Sequence, residues 1–298
     1  MNEPEVAPLR CDGKPVSQDE PIYFLIPYFL THRYDAMNMI TVDVPEEPLR
    51  RYMNEKRKEG RPVNHMALLI TAWLRTLSKY PDLNRFIGGR RIYEHVDKTV
   101  AMVVLKPGGG ESLNKMVLED SDTLFDVQRK IEEFVDVSRR EEDTGALEKA
   151  INVILKLRFL LGFCMAVLRF ADRHGLLPRA LVKASPFHAS VLFSNLASIR
   201  TNHIYHHVYE FGTTSISVTV GTMHEVPKRT SEGVRFERCI PLGVVMDERI
   251  ASGLYFANAF SYFRKLLQKP EQLELAPGEE PATLPEGGKE EISAAAAE

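Results

Sequence analysis

The chain has 298 residues, 44% hydrophobic and 27% charged, with 38 basic against 41 acidic side chains and a net charge of −3. This is a globular composition, long enough for one large domain or two small ones and read here as one, and charges of both signs spread along its length exclude a polyanion-wrapping surface, so nucleic acid is not an expected partner. Cys11, Cys164 and Cys239 lie far apart, with no CxxC pair and no histidine at ligand spacing, which reads as reduced thiols in a cytoplasmic protein with no metal site.

Residues 1–20 are polar and acidic, with neither a basic nor an apolar signal region, and are expected to form a flexible leader. Ile22–Tyr28 (IYFLIPY) and Met39–Val44 (MITVDV) both read as pieces of sheet. Pro45–Gly60 opens on acids and closes on basic residues and Gly, the pattern of a solvent-facing helix. Asn64 offers an N-cap to a helix presenting Met66, Leu69, Ile70, Trp73, Leu74 and Leu77 on one face. Pro81–Arg91 reads as a turn, Thr99–Leu105 as an interior strand, Gly108–Gly110 as a hairpin turn and Met116–Leu118 as the returning strand. Asp120-Ser-Asp then caps a helix that buries Leu124, Val127, Ile131, Phe134 and Val135.

Residues 150–181 are strongly apolar and predict one or two helices, interrupted at His174-Gly175 and closed after Leu177-Pro178. Lys156, Arg158 and Arg169 leave only about ten uncharged residues in a row, roughly half a bilayer span, so no transmembrane helix is expected. The first expectation is buried or substrate-covering helices; a wide apolar face rimmed by Arg and Lys also fits a peripheral membrane contact or a helix that shields a lipid-like acyl group. Ala189–Leu196, Ser215–Val220 and Ile240–Met246 read as strands, and Phe256, Phe260, Phe263 and Leu267 stripe a final helix ending near Pro270. Residues 275–298 are rich in Pro, Gly, Glu and Ala and are expected to be disordered, leaving 21–274 as the domain.

The run Asn64–Val104, an apolar helix leading through Pro81-Asp-Leu-Asn into a strand pair, resembles chloramphenicol acetyltransferase and the acyltransferase subunit of 2-oxoacid dehydrogenase complexes. Ser185-Pro186-Phe187 with the strand Val191–Leu196, and the segment Pro241–Gly253 (PLGVVMDERIASG), carry the resemblance across most of the chain. The fold it implies is α/β, an α+β two-layer sandwich in which helices cover a mixed sheet. The activity it implies is CoA-dependent transfer of an acyl group from a thioester to a small-molecule acceptor by a homotrimer, with coenzyme A or acyl-CoA as co-substrate. No separate β-rich module with a central Asp-Lys pair precedes the core, so a swinging-arm carrier is expected to be free or on another chain.

The resemblance implies a histidine that takes the acceptor's proton and, four residues on, an aspartate that holds the turn against an N-terminal arginine. The matching positions here read Glu248-Arg249-Ile250-Ala251-Ser252-Gly253, preceded by Asp247; only Gly253 follows the pattern. Ser194 takes the place of the serine that stabilises the oxyanion, and Arg33 that of the N-terminal arginine, so Arg33 is expected to face Ser252. An ordinary glutamate, with a pKa of about 4.3, is a poor base near neutral pH, so Glu248 would need an apolar pocket to serve as one. Alternatively Glu248 is structural and pairs with Arg249 or another base, or His206 and His207 in HHVYEFG supply the catalytic imidazole. Besides the acyltransferase stands a catalytically degenerate fold acting as a binding or assembly subunit. No Ser-His-Asp or Cys-His arrangement has a local sequence signature.

Overall fold

In the computed structural model, which describes residues 10–17, 21–106, 109–140, 158–231 and 233–276, the chain forms a two-layer α/β sandwich. The central seven-stranded sheet has the order β2 (Met37–Pro45), β10 (Gly233–Asp247), β8 (Ile216–Val220), β7 (Val191–Asn195), β5 (Lys98–Leu105), β6 (Glu111–Leu118), with β9 (His224–Thr230) paired to the first half of β10. β7 runs parallel to both β5 and β8, and the other pairs are antiparallel, which makes the sheet mixed. A three-stranded sheet, β1 (Gly13–Pro15), β4 (Arg91–His95), β3 (Arg85–Gly88), flanks it.

One face of the main sheet carries the core. Strand alternation points Val218, Val220, Leu242, Val244 and Phe193 into it. Against them pack α3 (His65–Lys79) and α7 (Gly253–Gln268), flanked by α2 (Glu46–Lys58) and α4 (Leu124–Arg140). Trp73 is buried at the centre, its ring 6.1–6.4 Å from those of Phe193, Phe260 and Phe263. The Asn64 cap forms as expected, its side chain accepting from the Ala67 N–H at 2.8 Å. The cap of α4 falls later than expected, on Thr123, whose hydroxyl faces the Asp126 N–H while the Asp126 carboxylate accepts from the Thr123 N–H. Asp122 instead closes the preceding turn on the Glu119 N–H.

Other expectations need correction. Ile22–Tyr28 is not a strand: Pro21–Phe29 is a helix, α1. A continuous apolar run has no alternation to separate the two, and Pro21 pre-sets the first helical φ. Within the expected leader 1–20, Gly13–Pro15 pairs with β4, and Arg10 is buried; residues 1–9 and 18–20, like 277–298 of the expected tail, lie outside the described residues. Of the apolar segment 150–181, residues 150–157 also lie outside. Its described part forms α5 (Arg158–Arg173) and α6 (Arg179–Ala184). The break comes where the sequence places it: Gly175 has φ +71°, and the Leu176 and Gly175 N–H groups bond back to Ala171 and Asp172 carbonyls. The chain does not leave helix after Pro178, because Pro fits a helix start as readily as a stop. No described helix is long and apolar enough to cross a membrane.

Candidate functional site

The DERIASG turn is held by a buried ion cluster. Asp247, at the end of β10, is fully buried and receives Arg249 Nε at 2.8 Å and a terminal guanidinium nitrogen at 2.7 Å. Arg33, on the 3-10 turn Arg33–Ala36 ahead of β2, brings its Nε to 3.6 Å from the same carboxylate and donates to the Gly212 and Tyr209 carbonyls. One carboxylate thus serves two buried guanidiniums. Burial, together with the repulsion from Arg249, holds the Arg33 pKa below its ordinary value even though Asp247 pulls the other way.

Arg33 therefore faces Asp247 and not Ser252, whose hydroxyl caps α7 by accepting from the Tyr255 N–H at 3.1 Å. Gly253 opens that helix. Glu248 does not pair with Arg249, which is spent on Asp247 and the Leu30 carbonyl. Its carboxylate, partly exposed, accepts instead from the Asn38 side-chain amide at 2.7 Å. Asn38 stands beside Met246, whose side chain belongs to the helix-covered face.

Ser194 lies on the other face. The register lines up Thr41, Gly243, Thr219 and Ser194 across β2, β10, β8 and β7, all on the side away from the helices. A loop, 200–214, crosses this face. The Thr219 hydroxyl bonds both the N–H and the carbonyl of Ile204, Ser217 donates to the His206 carbonyl at 2.8 Å, and Thr41 meets His203 Nε2 at 3.1 Å and the Tyr205 hydroxyl at 2.6 Å. Gly243 and Gly221 make this possible: a Cβ on either would strike loop backbone, at Ile204 and at His203.

Within one chain these residues do not assemble. From Gly243, in the row of Ser194, to Glu248 is five positions along β10 and two strands across, roughly 19 Å at ~3.3 Å per residue and ~4.8 Å per strand. His206 and His207 stack on each other at 4.9 Å, His206 Nδ1 bonds the His207 carbonyl, and neither bonds Ser194 or Glu248. The imidazole on the Ser194 row is His203, whose Nδ1 is buried without a hydrogen bond. Sequence reading passed over it because no motif marks it.

A second polar cluster was also missed. Asp172 on α5 accepts from His188 Nε2 at 3.1 Å, from the Gly212 N–H at 2.8 Å and from Arg10, while Ser185 faces His188 Nδ1 at 2.8 Å. Burial opposes the Asp172 charge, but His188, the Gly212 N–H and Arg10 together hold its pKa below the ordinary value. The serine and the carboxylate sit on opposite imidazole nitrogens, so the chain works as a tie fastening α5 to the loops before β7 and β8. Lys115 does similar work from β6, donating to the Val182 and His188 carbonyls, and burial lowers its pKa to about 8.

No family model and no curated protein sequence matches this chain. Solved structures do. A probable dihydrolipoamide acetyltransferase from Listeria monocytogenes superposes with a TM-score of 0.55 at 16% identity, covering 85% of this chain and 95% of that one. Dihydrolipoamide acetyltransferase from Azotobacter vinelandii, studied for the catalytic roles of a serine, a histidine and an asparagine, gives 0.56 at 14%, covering 87% and 95%. Chloramphenicol acetyltransferase gives 0.51 at 12%, covering 86% and 99%. At these identities the likeness establishes the chloramphenicol-acetyltransferase-like fold.

Proposed function

We propose that this chain is an acyltransferase that moves an acyl group from a CoA thioester to a small hydroxyl, amine or thiol acceptor, in a site completed between copies of the chain. The observation that carries the reading is the placement of Ser194. It stands on the sheet face without helices, in a row of small polar side chains, where a backbone loop is fastened by Thr219, Ser217 and Thr41. A hydroxyl there can donate to a developing oxyanion.

The roughly 19 Å between Ser194 and Glu248 in one chain requires the base to come from a neighbour, and a cytoplasmic homotrimer supplies one at each contact. One structural neighbour is itself the cubic core of a pyruvate dehydrogenase multienzyme complex. In the step proposed, Glu248 of one copy takes the acceptor's proton, the acceptor attacks the thioester carbonyl, and Ser194 of another copy donates to the tetrahedral oxyanion. Collapse then expels CoA as its thiolate, which recovers the proton. No metal enters this chemistry.

A second reading, a binding or assembly subunit without turnover, is favoured by one feature. The Asp247 carboxylate is locked between two arginines and Glu248 is engaged by Asn38, so neither is aimed at a reacting group within the chain. Coenzyme A and acetyl-CoA should both raise the melting temperature, as ligands of the native state do. Transfer from acetyl-CoA to dihydrolipoamide should vanish in Glu248→Ala and fall at least tenfold in Ser194→Ala. Stabilisation by CoA with no turnover in the wild-type chain would select the second reading, and no stabilisation at saturating CoA would contradict both.

A further inference from the structure

A cavity of about 460 Å³ opens where α5, the β3–β4 turn, the loop before β8 and the Arg33 turn meet, and its wall carries Arg10, Arg33, Arg169, Arg173 and Arg249. The acids on that wall are Asp172 and Glu210. Arg10 is satisfied by Asp12 and Asp172. Arg33 and Arg249 share the single carboxylate of Asp247, and Arg33 Nε is buried with no hydrogen bond. Arg169 and Arg173, one helical turn apart on α5, are exposed and form no ion pair with any described acid. The cavity therefore holds more guanidinium than its own carboxylates can neutralise.

The cavity adjoins a groove with an aromatic wall. Gly88, Gly89 and Arg173 line both, and the groove continues along Tyr28, Tyr93 and Phe170, with Arg90, Arg91 and His174 beside them. Tyr28 and Phe170 are 46% and 59% exposed, on α1 and α5, and Arg90 lies over the Tyr28 ring at 5.2 Å. The wall between is bare backbone: a Cβ on Gly88 would press on the Tyr93 ring and on Arg10 at 3.0–3.1 Å.

We propose that this cavity and groove together bind an amphiphile whose phosphate or diphosphate head enters among the arginines and whose apolar tail lies along Tyr28 and Phe170. Forked guanidiniums converging from several elements match an anion bearing more than one charge, for which a single carboxylate would need only one partner. Tail burial then adds affinity that a head group alone lacks. Neither Ser194 nor Glu248 lines the cavity, which shares Arg33 and Arg249 with the ion cluster that holds the Glu248 turn.

The test is isothermal titration of the full chain at low ionic strength with pyrophosphate, inorganic phosphate, and dodecyl phosphate below its critical micelle concentration. Pyrophosphate should bind saturably, at least tenfold more weakly in the double variant Arg169→Ala/Arg173→Ala, and unchanged in Phe170→Ala. Dodecyl phosphate should bind at least tenfold tighter than inorganic phosphate, and Phe170→Ala should remove most of that gain. Absence of saturable pyrophosphate binding, or equal affinity in the double variant, would overturn the head-group site; dodecyl phosphate binding no better than phosphate would overturn the tail groove. Sedimentation with phosphatidylcholine vesicles containing phosphatidic acid separates the sources. Co-sedimentation lost in the double variant assigns a lipid headgroup, and retained dodecyl phosphate binding without co-sedimentation assigns a soluble amphiphile.

Discussion

Asp247 holds the turn that carries Glu248: it accepts hydrogen bonds from Arg249 and lies 3.6 Å from Arg33 Nε, both guanidiniums being buried. Removing one partner from a buried ion cluster leaves uncompensated charge, so Asp247→Ala should cost about 3–5 kcal/mol, read by chemical denaturation. Glu248→Ala, which loses one hydrogen bond from Asn38, should shift the melting temperature little. His95 gives stability a pH dependence. It is buried, bonded to the Asn84 carbonyl and the Thr213 hydroxyl, and burial pushes its pKa down to about 4. Unfolded, it takes a proton near pH 6.5, so between about 6.5 and 4 the unfolded state binds more protons and stability falls as pH falls, by roughly 3 kcal/mol in full. Denaturation at pH 7 and pH 5 should show about 2 kcal/mol of this loss, and His95→Gln should flatten it. At this scale the sequence nominated the turn and the serine as candidates, but not the residues that hold the turn. Arg33 meets Asp247 and Asn38 meets Glu248 across more than 200 residues, and nothing in composition or spacing records such a meeting.

Between elements, the helix-bearing face of the sheet was legible and the opposite face was not. Periodicity located α3 and α7 because each buries one stripe, and Trp73 at their junction should cost about 3–5 kcal/mol when cut to Ala. The loop 200–214 has no periodicity to read; it is placed by hydroxyls on β8 and by glycines that let its backbone approach. Gly243→Ala should therefore lift the loop from the sheet, destabilising by about 1–3 kcal/mol and speeding amide exchange across 201–209, with the Trp73 core unaffected. An unchanged exchange pattern would show that Gly243 does not admit the loop. The apolar run of α1 was misread as strand for a related reason: Ile22, Phe24, Leu25 and Phe29 are exposed, so no one-sided burial imposed a period on it.

For the whole molecule, the element pattern indicated only a mixed α and β chain, and the two-layer architecture was implied by the resemblance that Asn64–Val104 and Pro241–Gly253 carry. The candidate site was less legible because its expected members do not meet within the chain: Ser194 sits on β7, on the face away from the helices, and Glu248 just past the end of β10, bonded to Asn38. The claim that follows concerns assembly, and subunit mixing tests it most directly. Glu248→Ala oligomers, inactive in acetyl transfer from acetyl-CoA to dihydrolipoamide, and Ser194→Ala oligomers, at least tenfold below wild type, should rise well above either parent when dissociated and reassembled together, because some contacts then pair an intact serine with an intact glutamate. Mixed oligomers that form but are no more active than their parents would contradict a site shared between copies.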